Sequence, residues 1–231
     1  MATTWLFIAF AEAKGRPGVF LEESERRVPE RRAEWEGRLK GPERNGAAMD
    51  RSFIIEARDV ILRPYRLDDV DAIYNLTQEA AVLEFLPDWN APKAQRREWL
   101  ADYEIPENDQ FLAAAAAGGH IGDLRLRLAV TVRGTGQCIG WCCTGIKEEL
   151  PPPNREVVYA VAERYRNQGY ATQAVRALVE YLFSQTDTAA INAVALPRNV
   201  ASNKVIQKSG LPYVGLVDID GEPFRRYQRI R

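Results

Sequence analysis

Histidine is almost absent from this chain, because its 231 residues include only His120, in a Gly-Gly-His context. A single loop histidine with no nucleophile motif beside it argues against hydrolases that use a histidine base and against zinc enzymes with histidine ligands. The three cysteines, Cys138, Cys142 and Cys143, share one strand-like segment and lack metal-ligand spacing. Adjacent strand residues point to opposite faces, so a bond between Cys142 and Cys143 is not expected. We predict no metal site and interpret the cysteines as small buried side chains in a reducing cytoplasm.

The chain also lacks an excess of either charge and a long apolar run. Its 31 Lys and Arg residues stand against 32 Asp and Glu residues, which gives a formal net charge of -1. Non-specific binding to nucleic acid or to an anionic membrane needs a basic surface. The apolar run at residues 5–11 is far shorter than the roughly 20 residues that cross a bilayer. We therefore expect neither a nucleic-acid partner nor a membrane partner.

Residues 1–52 differ in composition from the rest of the chain. The segment 22–44 is crowded with Glu and Arg and poor in apolar residues, which predicts an extension that is partly disordered or helical. Met49 comes just before the first convincing strand, so the physiological start can lie there. We assign one domain to residues 53–231.

From residue 60 onward the apolar periodicity predicts the order β-α-α-β-β-β-α-β-α-β-β. In the strand 124–132 three leucines are predicted to point inward, while Arg125 and Arg127 point outward. A helix is predicted at 92–103, and the segment 111–117 fits either a helix or a strand edge. Early hairpins and one late strand-helix-strand crossover predict a mixed α/β sheet with helices on both faces.

The most informative stretch reads Arg-Asn-Gln-Gly-Tyr-Ala at residues 166–171, between an apolar strand and an amphipathic helix. The first turn of a helix has N–H groups without intrahelical acceptors, and the helix dipole places partial positive charge there. Gly169 lets the backbone approach a ligand closely, and Arg166 adds a charge that can fork onto phosphate oxygens. This combination predicts a phosphate site. A nucleotide-binding protein of another kind is a weaker interpretation, because the chain lacks Gly-x-Gly-x-x-Gly and Gly-Lys-Ser/Thr elements.

Several motifs together resemble the GCN5-related N-acetyltransferase (GNAT) family over residues 58–231. Arg166-x-x-Gly169-x-Ala171 is similar to the family's pyrophosphate signature, and Asn199-x-x-Ser202 follows after the next strand. Glu156-x-x-Tyr159 is most similar to the branch of ribosomal-protein N-terminal acetyltransferases. The resemblance implies the GNAT fold, with a mixed, mostly antiparallel sheet of about seven strands that splay at the acetyl-CoA site.

Acetyl-CoA is the co-substrate that the resemblance implies. Its pyrophosphate is expected on the N–H groups of residues 168–172, and its pantetheine arm is expected beside the strand at 158–162, like an added strand. The expected acetyl-CoA-binding residues are Val158, Ala160, Val161, Ala162, Arg166, Asn167, Gln168, Gly169, Tyr170, Ala171, Thr172, Asn199 and Ser202.

Acetylation of an amine requires a base for the ammonium proton, a donor for the oxyanion and an acid for the departing thiolate. Glu156 resembles the family's glutamate and is our candidate base, directly or through water. The alternative is that Glu156 is a solvent-exposed charge at a strand end, in which case Glu148 or Glu149 is the next candidate. The oxyanion donor is expected to be a backbone N–H near Val161.

The position of the tyrosine that protonates the thiolate in many family members is occupied here by Ile206. This difference points to Ser202 as the acid, although Ser202 can equally be a cap or first-turn residue of its helix. Asn199 is expected to contact the CoA arm or the acceptor, with a local Asx turn as the alternative.

The acceptor is the least determined part. The branch resemblance favours a protein N-terminal α-amine, and a small-molecule amine is the alternative. The family's acceptor groove corresponds to Phe85, Asp88, Trp89, Trp99 and the loop 151–153. A non-catalytic module that binds acyl-CoA is a hypothesis from a different class. We expect a cytoplasmic monomer or homodimer.

Overall fold

Eight strands form one sheet in the computed structural model, which describes residues 53–231. The sheet order is β1-β2-β3-β4-β5-β6-β8-β7, and every neighbouring pair is antiparallel except β5 and β6, which are parallel. The two-residue β1 raises the number of strands above the seven expected. The predictions about residues 1–52 lie outside the described residues. The strands are β1 Ile55–Glu56, β2 Val60–Pro64, β3 Leu126–Val132, β4 Cys138–Ile146, β5 Arg155–Val161, β6 Ala190–Ala195, β7 Tyr213–Ile219 and β8 Glu222–Ile230.

Six α-helices accompany these strands in the described part of the chain. A π-helical turn at Leu100–Glu104 joins α3 to α4, so the helix predicted at 92–103 continues to Ala116, within the ambiguous segment 111–117. The strand-edge interpretation of that segment is therefore wrong, and the helix propensity of its alanines prevails. The helices are α1 Val70–Thr77, α2 Ala80–Phe85, α3 Lys93–Trp99, α4 Ile105–Ala116, α5 Tyr170–Gln185 and α6 Val200–Lys208.

Helices cover both faces of the sheet, as predicted. On one face the apolar stripe of α5, including Val175, Leu178 and Leu182, packs against strand residues such as Leu128. On the other face α1 and the segment around Trp89 pack against Trp141 of β4 and other strand residues. Successive strand residues alternate between these two faces, so the central strands β3, β4 and β5 supply side chains to both layers.

The predicted outward orientation of Arg125 and Arg127 into solvent is wrong. Arg127 is buried, and its Nη1 lies 2.7 Å from Oε2 of Glu107 while its Nε lies 3.7 Å from Oε1 of Glu104. Asn108 of α4 is also buried, and its side chain exchanges two hydrogen bonds with the backbone of Arg127, at 2.7 and 2.8 Å. Alternation shows which residues share a face, but α4 and the π-turn decide that this face is covered.

The sheet opens between β5 and β6. Their pairing is confined to Glu156 and Asn192, beyond which the two strands diverge. On its other side β5 stays tightly paired with β4, where a Cβ on Gly140 would lie only 2.1 Å from the carbonyl oxygen of Ala160. A side chain at position 140 would therefore force β4 and β5 apart. The result is a gap with one rigid wall, at the carboxyl end of β5.

Candidate functional site

The turn after β5 leads directly into the N-terminus of α5. Asn167 and Gly169 have positive φ angles of 62° and 79°, and no side chain caps the helix. The first bond of the helix runs from the N–H of Gln173 to the carbonyl of Gly169 at 3.0 Å. The N–H groups of Tyr170, Ala171 and Thr172 consequently have no intrahelical acceptor, and the helix dipole adds positive potential at the same place. This geometry suits a phosphate group.

Arg166 of this turn is engaged by the protein itself. Its Nη2 lies 2.8 Å from Oε2 of Glu79, and its Nε donates to the carbonyl of Val161 at 3.2 Å. The expected fork onto phosphate oxygens remains a prediction, and it requires this arrangement to change. Glu79 lies 87 residues away in the sequence, and nothing in its local pattern indicated the contact.

The backbone of β5 offers hydrogen-bonding groups to the gap at every second residue. The N–H of Ala162 donates to the carbonyl of Ile139 at 2.8 Å, and paired groups alternate along an antiparallel ladder. The N–H groups of Tyr159 and Val161 therefore point away from β4, into the gap. The N–H and carbonyl groups of Val158 and Ala160 and the N–H of Ala162 point toward β4, so the expected contact of these residues with a pantetheine arm can come only from their side chains.

Glu156 is buried at the start of the gap, with 7% of its surface exposed. The interpretation of Glu156 as a solvent-exposed charge at a strand end is therefore wrong. Burial raises the pKa of its carboxyl to about 7, while Lys147 and Arg125 oppose this shift and Glu149 adds to it. Arg125 comes close because Gly145, which pairs with Glu156, has no side chain. A Cβ at position 145 would lie 3.0 Å from the Arg125 side chain. A carboxyl with a pKa near neutrality can accept a proton during catalysis.

The fallback bases are placed differently. Oε1 of Glu149 accepts a hydrogen bond from Nζ of the buried Lys147 at 2.8 Å, and Glu148 is exposed. Neither carboxyl has the burial of Glu156. Residues two apart share a strand face, so Glu156 faces the layer of α1 and Trp89, on the same side as Val158 and Ala160.

Ser202 and Asn199 lie across the gap at the start of α6. Asn199 is the N-cap residue, and its Oδ1 accepts the N–H of Ser202 at 3.1 Å. These contacts match the local alternatives that the sequence left open. Asn199 makes a hydrogen bond within its own turn, and Ser202 lies in the first turn of its helix. Ile206 is buried with 1% of its surface exposed, so no hydroxyl comes from that position.

Tyr159 is a residue of this region that sequence reasoning did not single out. Its hydroxyl donates to the carbonyl of Ser202 at 3.0 Å and so connects β5 to α6. Burial raises the pKa of this phenol, which keeps it protonated. Its inclusion in the Glu156-x-x-Tyr159 motif was the available signal.

The residues expected to line the acceptor groove lie around Asp88. Burial raises the pKa of Asp88 to about 6, and the nearby Lys147 opposes that shift. Trp89 stacks on Trp141 with ring centroids 4.6 Å apart. The guanidinium of Arg96 lies 4.9 Å from the centroid of Trp99, so both tryptophans have packing roles. Lys147 influences the pKa of both Asp88 and Glu156, which brings these two carboxyls into one charged cluster.

Within residues 53–231, no helix is long and apolar enough to span a membrane. No group of three or more His, Cys, Asp or Glu residues in that part of the chain is arranged to hold a metal ion.

The parallel pair of β5 and β6 splays beside a glycine turn, with a helix N-terminus at the end of the gap, which is the arrangement expected of a GNAT acetyltransferase. The model of the Acetyltransferase (GNAT) domain family matches residues 59–212, about two thirds of the chain. The chain belongs to this family. It is an N-acetyltransferase, and acetyl-CoA is its co-substrate.

Individual relatives are distant. The chain is 24% identical to the uncharacterized N-acetyltransferase YnaD of Bacillus subtilis over 157 residues, which cover 68% of this chain and 81% of YnaD. Among solved structures it is similar to the ribosomal L7/L12 α-N-protein acetyltransferase RimL in complex with coenzyme A, with 18% identity, a TM-score of 0.58 and coverage of 77% and 98%. It is also similar to the aminoglycoside acetyltransferase AAC(6')-Ib in complex with coenzyme A and kanamycin, with 20% identity, a TM-score of 0.57 and coverage of 74% and 95%. These two structures support the fold and leave the acceptor open.

Proposed function

We propose that this N-acetyltransferase acts on the α-amino group of a protein N-terminus, by direct attack of the amine on acetyl-CoA in a ternary complex. The observation that carries the proposal is the buried Glu156, whose carboxyl has a pKa of about 7 and lies where the sheet opens. A base of this strength suits a weakly basic amine. An α-amine with a pKa near 7.8 loses its proton at pH 7 for about 1 kcal/mol, whereas a lysine amine near 10.4 requires about 4.6 kcal/mol.

The donor is proposed to lie along the gap. Its pyrophosphate binds the N–H groups at the start of α5, from Gln168 to Thr172, around Gly169. Its pantetheine arm follows β5, where the N–H groups of Tyr159 and Val161 face the gap. The N–H of Val161 is the proposed donor to the oxyanion, because it needs no side chain and is held by the strand.

The proposed base and the proposed acid lie on opposite faces of the sheet. Glu156 faces the layer of α1 and Trp89, while Ser202 belongs to α6, which packs in the layer of α5. The amine nitrogen attacks the thioester carbon from the side of Glu156, which takes the amine proton directly or through water. When the C–S bond breaks, Ser202 is proposed to give a proton to the thiolate from the opposite side and to recover it from solvent.

The proposal is tested by measuring CoA thiol release with a panel of acceptors. The panel contains peptides with a free N-terminus, the same peptides with a blocked N-terminus and a free lysine, and an aminoglycoside. Free N-termini should support turnover, and Glu156→Gln should lower kcat by about 10²-fold or more, the usual contribution of a general base. Ser202→Ala should give a smaller loss, because water can replace a hydroxyl donor.

The Glu148→Gln variant is the matched control and should retain activity. If acetyl-CoA binds but no acceptor gives turnover above that of Glu156→Gln, the chain is a module that binds acyl-CoA without catalysis, and the proposal is wrong.

A small-molecule amine is the second candidate acceptor. The half-buried Asp88, close to the charged cluster around Lys147, is the observation that favours it, because a carboxylate in this position can pair with a second ammonium group. Turnover of the aminoglycoside or of a diamine, with none of the peptides, would select this alternative. In either case we expect a cytoplasmic enzyme, as a monomer or homodimer, without nucleic acid.

A further inference from the structure

Glu79 lies between α1 and α2 and reaches the acetyl-CoA turn with both carboxylate oxygens. The N–H of Glu163 donates to Oε1 at 3.1 Å and to Oε2 at 2.9 Å, and Nη2 of Arg166 lies 2.8 Å from Oε2. These contacts hold both ends of the 3-10 turn Glu163–Tyr165, which precedes the positive-φ residues of the phosphate turn. Within residues 53–231, no other side chain of the α1 to α3 region is hydrogen-bonded to this turn.

The side chain of Glu79 contacts this distant turn instead of capping its own helix. Glu79 is the N-cap residue of α2, yet its side chain makes no capping bond to its own helix. A carboxylate at this place would ordinarily satisfy an N–H group of the helix and interact with the helix dipole. Here it stabilises the distant turn instead, and both partners are partly shielded, with 23% of Glu79 and 34% of Arg166 exposed at the side chain.

The two ends of this connection belong to different parts of the active site. Arg166 also donates through Nε to the carbonyl of Val161, the residue whose N–H faces the gap. In the other direction, α2 leads within four residues to the Pro87–Trp89 turn, which contains Asp88 and the tryptophan stacked on Trp141. A single carboxylate therefore joins the strand end and the phosphate turn to the acceptor-side segment.

We propose that Glu79 is a positioning residue that couples acetyl-CoA binding to the acceptor-side segment 80–89. Glu79 keeps Arg166 on the turn and away from the phosphate oxygens, and so fixes the conformation in which the N–H groups at the start of α5 bind pyrophosphate; binding in turn steadies α2 and the Asp88 turn. This inference rests on the proposed acetyl-CoA site at the start of α5.

The opposite effect, in which Glu79 weakens acetyl-CoA binding, is also physically reasonable. A carboxylate beside a phosphate site repels the ligand and occupies Arg166, so its removal would release Arg166 and tighten acetyl-CoA binding. The contacts to the backbone N–H of Glu163 favour positioning, because a charge that only neutralised Arg166 would not need them.

The experiment compares Glu79→Ala and Glu79→Gln with Glu84→Ala. Glu84 is an exposed glutamate of the same helix, and its Arg198 partner is 3.8 Å away, so it is a matched control. Acetyl-CoA affinity is measured by titration calorimetry, and hydrogen exchange of residues 80–89 and 163–173 is followed with and without acetyl-CoA. KM and kcat are added with any acceptor that supports turnover.

We expect Glu79→Ala to weaken acetyl-CoA binding by about five- to tenfold, the size of one lost hydrogen bond of ordinary net strength. KM for acetyl-CoA should rise by more than kcat falls. Glu79→Gln, which can still accept from Glu163, should lie between Ala and wild type. Acetyl-CoA should slow exchange at 80–89 in wild type and Glu84→Ala, but only at 163–173 in Glu79→Ala.

Equal or tighter binding by Glu79→Ala, or protection of 80–89 that persists in this variant, would overturn the coupling. Should Glu79→Ala fail to fold, the same comparison is made with Glu79→Gln. If wild type itself does not bind acetyl-CoA, the proposed site is wrong, and this outcome is distinct from failure of the coupling alone.

Discussion

The proposed donor side and the proposed acceptor side of this enzyme are formed by different kinds of chemical groups. The donor side consists of backbone groups from one continuous stretch, the end of β5 and the start of α5, with glycine at the point of close approach. The acceptor side consists of charged side chains from separate elements, including Asp88 after α2, Arg125 before β3 and Lys147 after β4. Backbone recognition survives divergence of side chains, whereas the acceptor side changes with each substitution. The chain consequently reveals its donor more readily than its acceptor.

The two sides also differ in how they respond to pH. On the acceptor side, burial shifts the pKa values of Asp88, Arg125 and Glu156. On the donor side, recognition by peptide N–H groups does not titrate. We therefore expect pH to act through catalysis and fold stability rather than through acetyl-CoA binding.

The largest expected effect on this comparison comes from Arg127→Met. The substitution removes the buried cation between the buried Glu104 and the partly buried Glu107, and breaking a buried ion pair costs about 3–5 kcal/mol. Urea denaturation should show this loss in the free energy of unfolding. Arg133→Met, at an exposed pair with Glu56, should cost less than about 1 kcal/mol. Equal losses in the two variants would show that the ion pairs of Arg127 with Glu104 and Glu107 do not stabilise this side of the fold.

The next effect concerns Glu156→Gln as the pH changes. The carboxyl titrates near 4.5 in the unfolded chain and at about 7 in the fold, so the fold favours its neutral form. The destabilisation is absent below the unfolded pKa and grows until the pH passes the folded pKa. At about 1.4 kcal/mol per pH unit, the free energy of unfolding of Glu156→Gln should rise by up to about 3 kcal/mol relative to that of wild type between pH 4.5 and 7.

The measurement is the urea midpoint of both proteins across this range, together with the pH profile of wild-type activity, which should rise through pH 7. Glu148→Gln, at an exposed position, should show no such trend. A stability difference between Glu156→Gln and wild type that stays constant across this pH range would show that Glu156 is solvated. Any role of Glu156 as a base would then not depend on its burial.

The smallest of these free-energy effects tests the backbone nature of the donor side. Gly169 and Gly221 have nearly equal φ angles of 79° and 80°, and a Cβ on Gly221 meets nothing within 4 Å. Changing either residue to Val imposes the same backbone strain, but only Gly169→Val places a side chain in the phosphate cradle. At 100 times its Kd, acetyl-CoA stabilises wild type by about 2.7 kcal/mol. Gly169→Val should lose this thermal shift and Gly221→Val should retain it. A retained shift in Gly169→Val would place the pyrophosphate elsewhere.

Much of the fold could be predicted because its signals are local. The apolar stripe of α5 and the alternation of β3 depend on residues within one element, and both predicted the element type correctly. The same alternation failed for Arg125 and Arg127, because burial of a strand face depends on α4 and the π-turn. Glu156 could be selected from its motif, but its burial, on which its pKa depends, could not.

The sequence by itself determined the glycine turn between strand and helix and the absence of a tyrosine at position 206, since each requires only neighbouring residues. Only the tertiary structure decided that β5 and β6 part after Glu156, that Tyr159 reaches Ser202, and that Glu79 holds Arg166 from 87 residues away. The physical reason is distance along the chain. Backbone dihedral preferences and caps act over a few residues, whereas burial, desolvation and ion pairing depend on which distant segments the folded chain brings into contact.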